Sequence, residues 1–366
     1  MAELIYSLNG KYFKDYDIFI SSSDGLLDGL KPKKQDTYDW SEYSGVASDI
    51  TQIKRFDVRQ FTLTGFVKGD DWNIMMAKFW TVFGDLNRPG RQRLLIDPFG
   101  IKPLCYDVIN EDNIDVKKTF KDGICFATFI IKLIEQKPIK KILYSDISNL
   151  QLSFNSPKWV EINIDGSIET LKGVISINKS IPQRTVTKYS FQGRNLLQNS
   201  KTLKNLYFWH ENQNPVIDHL SDSIVINMFG PNSGIYQTFN ANNYTGPMTV
   251  SFDAISILNG WNNDIKIGLE GVTTVDNFSI NDVAQWTRFK ITLNVTNLNN
   301  GTFIFYKNGS NNTPLGLKLK NIKLELGNKA TDWKAAPEDQ HFISIAGEID
   351  EITNLTTNAE VLWEKL

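Results

Sequence analysis

At 366 residues, with 41% apolar and 12% aromatic content, the chain is long enough for two or three domains and too apolar to be mainly disordered. Lys and Arg total 39 against 41 Asp and Glu, for a formal net charge of −2, and no basic field runs along the sequence; a nucleic-acid partner has no electrostatic support. No run of about 18 apolar residues occurs, so membrane insertion is not expected, and Met1-Ala2-Glu3-Leu4-Ile5-Tyr6 lacks the basic-then-apolar order of a signal peptide.

Residues 2–7 and 11–20 read as two strands joined by Asn9-Gly10, a strong hairpin signal. Residues 21–48 are a long polar excursion, of the kind that usually serves function or assembly. Strand returns over 52–67, where Phe56 and Val58 alternate on one parity and Phe61 and Leu63 on the other; the slip predicts a bulge near Arg59-Gln60. Asp71 then caps a helix whose apolar residues Trp72, Met75, Met76, Phe79, Trp80 and Phe83 form one stripe, expected to pack on the chain's own sheet. Gly84 and Arg88-Pro89-Gly90 end it. Strands follow at 91–97, 102–109 and 124–135, the last offering Phe126, Phe129, Ile131 and Leu133 to a core. Cys105 and Cys125 lie in such apolar runs and are expected as buried thiols. Two cysteines with no nearby histidine cannot make a zinc site.

This order of hairpin, excursion, strand, helix and strands, with Leu94-Leu95-Ile96-Asp97-Pro98 and Tyr106, resembles the N-terminal domain of phage distal tail (baseplate) proteins over roughly residues 1–140. In that family the domain makes a ring, usually hexameric, that joins the tail tube to the host-recognition apparatus. The resemblance implies a virion structural protein assembled in the bacterial host cytoplasm. Its expected partners are copies of itself in a homohexamer, the tail tube and the tail hub or tip proteins. The excursion at 21–48 would be an inter-subunit arm.

Strands at 149–154, 158–164 and 168–178 are separated by Asn155-Ser156-Pro157 and Asp165-Gly166; Trp159, Val160, Ile162 and Ile164 suit a sheet. This stretch is either a third small element or the tail of the first domain. Residues 191–338 are all strand and turn, with strands at 224–229, 234–239, 247–257, 264–270, 285–295, 301–307 and 316–326. Turn signals at Gly230-Pro231-Asn232, Asn242-Asn243, Asn259-Gly260, Asn299-Asn300-Gly301 and Asn308-Gly309 separate them, which argues for a sandwich. Gln192-Gly193-Arg194-Asn195-Leu196-Leu197 with Asn199-Ser200 resembles the opening of the carbohydrate-binding-like jelly rolls of phage tail and fibre proteins. Ile322-Lys323-Leu324-Glu325-Leu326-Gly327-Asn328, followed by Thr331-Asp332-Trp333 and Pro337, resembles their close. Beyond it, Phe342, Ile343, Ile345 and Val361-Leu362-Trp363 predict two more strands.

The expected fold is therefore mainly β: a β-sandwich or barrel-like domain at 1–190 with one amphipathic helix, an inserted β-sandwich jelly-roll module at 191–338, and C-terminal strands at 339–366 returning to the first domain. The ends of the insertion, Phe191 and Pro337, are expected close together.

Catalysis has little to work with. The histidines are His210, His219 and His341, no nucleophile elbow, zincin or phosphate-loop motif occurs, and no enzyme is expected. Asp264 and Glu270 share a strand face, read as solvated. For host adhesion through surface polysaccharide the candidates are aromatics in polar surroundings, since sugar C–H faces stack on rings: Trp209, Trp261, Tyr236 and Tyr244. Trp286 and Trp333 are read as structural. The resemblance to jelly-roll modules also implies a structural calcium ion, with Glu325 and Asp332 as candidate ligands; Asp332 suits a turn cap better. A receptor-binding tail fibre or adhesin, and a glycan-targeted accessory protein of an enzyme, are the other readings.

Overall fold

The computed structural model describes residues 4–363 apart from 35–36, 40, 43, 49–54, 99–102, 122, 146–148, 182–192, 204–205, 207, 258–262, 271–274, 281–282, 309–313 and 357–358. The chain is mainly β. The first elements are β1 (Leu4–Leu8), β2 (Lys11–Tyr12), β3 (Ile18–Asp24), β4 (Thr37–Asp39), β5 (Val46–Ser48), β6 (Arg59–Gly69), α1 (Trp72–Phe83), β7 (Gln92–Pro98), β8 (Leu104–Asn110), β9 (Asp115–Lys121) and β10 (Ile124–Glu135). Then come β11 (Lys141–Ser145), β12 (Asn149–Ile164) and β13 (Ser167–Ser180), followed by β14 (His210–Asn212), β15 (Val216–His219), β16 (Ile224–Met228), β17 (Gly234–Ser256), β18 (Asn263–Glu270), β19 (Val275–Ile280), β20 (Thr287–Lys307) and β21 (Leu315–Leu326). The last are β22 (His341–Ala346), β23 (Ile352–Leu355) and β24 (Ala359–Trp363). No helix among the described residues is long and apolar enough to cross a membrane.

The first sheet has the order β2-β1-β7-β8-β10-β6-β3, with β9 on β10. Asn9 and Gly10 turn the first hairpin at φ 50 and 79. The expected strand at 11–20 is broken, because a 3-10 turn at Phe13–Tyr16 intervenes and Asp17 reverses the chain at φ 53. β8 and β10 touch only through Asn110–Leu133 and Ile109–Ile134, so the sheet folds there into two halves. The halves face one another over one core, with Phe61 of β6 and Tyr106 of β8 5.3 Å apart.

Helix α1 closes that core. Asp71 caps it by accepting from the amides of Asn73 and Ile74, a cap that contributes about 1 kcal/mol. Met75, Phe79, Val82 and Phe83 are buried, and the Phe79, Phe83 and Phe129 rings lie 4.8–5.2 Å apart. Phe126, expected in the core, has the opposite parity and faces outward. The bulge lies on β3, between Ile20 and Ser22, rather than at Arg59-Gln60, where β6 pairs β10 without a break. Cys105 and Cys125 are both buried as thiols. The excursion is a two-stranded arm: Pro32 bridges Phe56 at its root, and β4 and β5 pair near its tip.

Residues 141–180 form a second sheet with a separate core, in the order β13-β12-β22-β11-β24, with β23 on β12. Strand β22 sits between β11 and β12, and all six of its residues are buried. The C-terminal strands thus enter the sheet of 141–180. The turn expected at Asn155-Ser156-Pro157 is a register shift inside the continuous strand β12; Asp165-Gly166 does turn, at φ 45 and 97.

The two sheets meet through Leu95, Cys105, Ile142 and Phe342 and a buried polar cluster. Arg93 Nε pairs with Asp107 at 2.8 Å, and Lys140 bonds Asp107 at 3.2 Å and Glu135 at 2.5 Å. Ser344 Oγ and Asn163 Nδ2 donate to the same Asp107 carboxylate at 2.5 and 2.8 Å. Burial alone would push the Asp107 carboxyl up, but Arg93, Lys140 and these hydrogen bonds hold it well below the usual range.

In the region 195–334, β17 runs 23 residues and β20 runs 21, paired from Gly234–Tyr306 to Ala254–Thr287. The turn signals Asn242-Asn243 and Asn299-Asn300-Gly301 fall inside these strands. Asn242 and Asn243 adopt φ 52 and 57 in a bulge between Asn240 and Tyr244, and Gly301 has no side chain because a Cβ would meet the Phe239 ring at 2.7 Å. The bulges divide the ladder. One half-sheet is β14, early β17, late β20, β18 and β19; the other is early β20, late β17, β21, β16 and β15. Phe252 of one half meets Phe305 of the other at 5.4 Å, edge to face, in a shared core.

Candidate functional site

Two places in this sandwich carry organised chemistry. The first is a seam where its opening and closing segments clasp. Leu196 donates to the Leu324 carbonyl at 2.8 Å, and Ile322 and Asn321 donate to the carbonyls of Ser200 and Lys201 at 2.9 and 2.7 Å. Asn195 is fully buried at the centre. Its Nδ2 donates to Ser200 Oγ, the Ile322 carbonyl and the Lys334 carbonyl, and its Oδ1 accepts from the amides of Leu197 and Leu324. Arg194 pairs with Glu338. The Asn199 amide donates to Asp339 at 2.6 Å. Phe191, expected near Pro337, lies outside the described residues.

The seam does not bring the candidate calcium ligands Glu325 and Asp332 together as a carboxylate pair. Glu325 is fully buried, and the cation beside it is the Lys323 ammonium at 3.3 Å. Thr331 completes the carboxylate shell with its amide at 2.8 Å and hydroxyl at 2.7 Å. Asp332 offers Lys323 only its backbone carbonyl, at 2.9 Å, and its side chain is exposed. Trp333 packs here structurally: its Nε1 donates to Ser200 Oγ at 3.4 Å, and the Lys201 ammonium sits 5.6 Å from its ring centre.

The second place is the outer face of the first half-sheet. Alternation sends Ile235, Gln237, Phe303, Phe305, Ile265 and Ile267 inward and leaves Tyr236, Thr238, Ile304, Tyr306, Lys266 and Glu270 on the outer side. Ile304 and Tyr306 are only 1% and 5% exposed there, whereas Glu270 and Thr238 are exposed and Tyr236 and Lys266 half-buried. Ile304 and Tyr306 are thus covered within the protein, and Tyr236, Thr238, Lys266 and Glu270 are the groups within reach of a ligand. His210 of β14 pairs with Tyr236 in register, and their rings lie 5.1 Å apart at 31°. Burial first, then the neighbouring Glu270 and Tyr236, push the Tyr306 hydroxyl up to about 12. The Tyr236 and His210 rings, the Glu270 carboxylate and the Lys266 ammonium together suit polyhydroxylated ligands.

Of the sequence candidates, Tyr236 belongs to this face. Trp209 does not: it is 4% exposed in the sandwich core, edge-on to Phe303 at 6.0 Å, with Nε1 donating to the carbonyls of Gln198 and Asn199 at 3.0 and 3.2 Å. Tyr244 packs against the same core at the bulge and donates to the Pro247 carbonyl at 2.8 Å. Trp261 lies outside the described residues. Tyr306, Lys266 and His210 were missed. The run Phe303-Ile304-Phe305-Tyr306 reads as uniformly apolar, and only its pairing with β17 separates the two faces.

No family model matches the sequence, and no curated protein matches it. Solved structures to which the chain is similar include three groups: CBM22 domains, phage proteins and a secreted serine protease of Vibrio cholerae. The first includes the CBM22-1 xylan-binding domain of Paenibacillus barcinonensis Xyn10C, at 11% identity, covering 40% of this chain and 100% of that one with a TM-score of 0.30. The second includes the SPP1 Dit protein (10% identity, 94% and 98% of the two chains, TM-score 0.29) and a chain of the phage P2 baseplate (9%, 94% and 99%, TM-score 0.31).

Proposed function

We propose that this chain is a non-catalytic structural protein of a phage tail tip, of the distal tail kind. In this reading the region 1–190, completed by 339–366, builds a ring between the tail tube and the hub or tip proteins. The region 191–338 is an outward module whose β14–β17–β20–β18 face contacts cell-surface glycans. The observation that carries the reading is the seam. The signature resembling a jelly-roll opening is hydrogen-bonded to the one resembling its close, and the next strand, β22, enters the centre of another sheet. A bracketed display module on an assembling body has that form. Many weak sites on one ring would bind a polysaccharide by avidity.

Two measurements test it. Native mass spectrometry of the purified chain should give a closed ring, with six copies expected; a trimer would favour a fibre and a monomer would overturn the ring. Binding to host cells or a glycan array should fall at least tenfold in Tyr236→Ala. Unchanged binding in that variant and in Glu270→Gln would make the module architectural.

A further inference from the structure

The sandwich has a second outer face, on the half-sheet of early β20, late β17, β21, β16 and β15. The alternation that sends Phe252, Leu319 and Ile226 to the core sends Arg288, Lys290, Lys318 and Lys320 outward. The closing segment covers one end of this face, where the buried Lys323 donates to Thr331 Oγ1 and the Asp332 carbonyl. Beyond Lys323 the strands are open. Trp286 is 37% exposed, Arg288 and Lys290 are exposed, and Lys318 and Lys320 are half-buried.

The charge there is unbalanced. Asp253 accepts from Arg288 at 3.0 Å and from Asn321 Nδ2 at 2.6 Å, and Asp222 lies 3.7 Å from Lys320. Asp218, opposite Val225, is a further acid at the β15 edge. Among the described residues, Lys290 and Lys318 pair with no carboxylate. Burial lowers the Lys323 ammonium despite Glu325, and Lys334 and Arg288 push it the same way, the mark of a positive field across the face. Trp286 adds an apolar plate with the Lys320 ammonium 4.0 Å from its ring centre, a cation–π contact. Half-buried Ile255 and Val225 continue the apolar ground between the cations. Lysines two residues apart on one strand stand about 7 Å apart, which suits a chain bearing repeated anions.

We propose that this face binds an anionic polymer whose polyol or sugar units carry phosphate or carboxylate. Lys290, Lys318 and Lys320 pair with the anionic groups, and Trp286 stacks on the C–H faces between them. With a net charge of −2, the chain lacks the long-range field that draws nucleic acid. The surface lies on the half-sheet opposite Tyr236, and it depends neither on that face nor on the ring.

The test is equilibrium binding of the full chain to poly(glycerol phosphate), polygalacturonate and neutral dextran, at low and at high salt. Binding to either charged polymer and not to dextran is expected, with the preferred polymer identifying the anion and affinity falling at least tenfold at high salt. Lys290→Glu combined with Lys318→Glu should cut it at least tenfold at the thermal midpoint of the parent, and Tyr236→Ala should leave it unchanged. The milder Lys290→Gln with Lys318→Gln should flatten the salt dependence. No binding by the parent at low salt, or parent-like binding in both double variants, overturns the proposal. Binding to double-stranded DNA as tight as to either polymer overturns the assignment to a polyol or sugar chain.

Discussion

The guanidinium of Arg93 donates to the carbonyl of Phe342 at 2.9 Å across 249 residues of sequence. That bond ties a strand of the first sheet to the central strand of the second. The same arginine holds Asp107, which Lys140, Asn163 and Ser344 also contact. Removing one member leaves charge buried without its counterpart. Arg93→Ala should therefore cost about 3–5 kcal/mol, read as a lowered denaturant midpoint.

The Asp107 carboxyl is depressed in the folded state, so it contributes stability at pH values above the ordinary carboxylate range. That contribution is lost as pH falls through and below about 4. Acid unfolding of Asp107→Asn should start from a less stable protein and show a shallower dependence on pH below that point.

Asn195 satisfies three acceptors and two amides at the seam. Asn195→Asp keeps the shape but sets a carboxylate against the Ile322 and Lys334 carbonyls. A loss of more than about 2 kcal/mol is expected in urea unfolding, exceeding that of Ser200→Ala.

At the buried pair, Lys323→Met alone should be strongly destabilising, by about 3–5 kcal/mol, whereas Lys323→Met with Glu325→Leu should recover most of the loss. Millimolar calcium should not raise the thermal midpoint through Glu325, because Lys323 and Thr331 already occupy its carboxylate.

Trp209→Ala should cost about 3–5 kcal/mol, because it empties a core position. Tyr236→Ala should cost under about 1.5 kcal/mol and act on glycan binding instead. Calorimetry alongside binding separates the two.

The sequence made the helix legible because its cap and stripe are local: Asp71 and the Trp72–Phe83 spacing needed no partner. Alternation likewise gave most strands of the sandwich. Asparagine signals did not distinguish a turn from a bulge, since Asn242 and Asn243 take left-handed φ in either, and the strands expected at 234–239 and 247–257 proved continuous. Trp209 was misread because its polar neighbours suggested a loop, while its acceptors, the Gln198 and Asn199 carbonyls, are set by tertiary packing. Arg93, Asp107, Glu135 and Lys140 look like ordinary solvated strand charges in the sequence. Their burial follows from the second sheet, whose central strand comes from more than 200 residues away.

The seam also governs how the region 195–334 could be lost. Its chain leaves the body once and comes back once, and β22 carries the return into the middle of a sheet. One proteolytic cut in either connection therefore cannot shed it: the other peptide crossing still holds it covalently, and the clasp around Asn195 keeps the severed end in place. Release would require two cuts and the opening of the clasp, so the attachment tolerates a single nick.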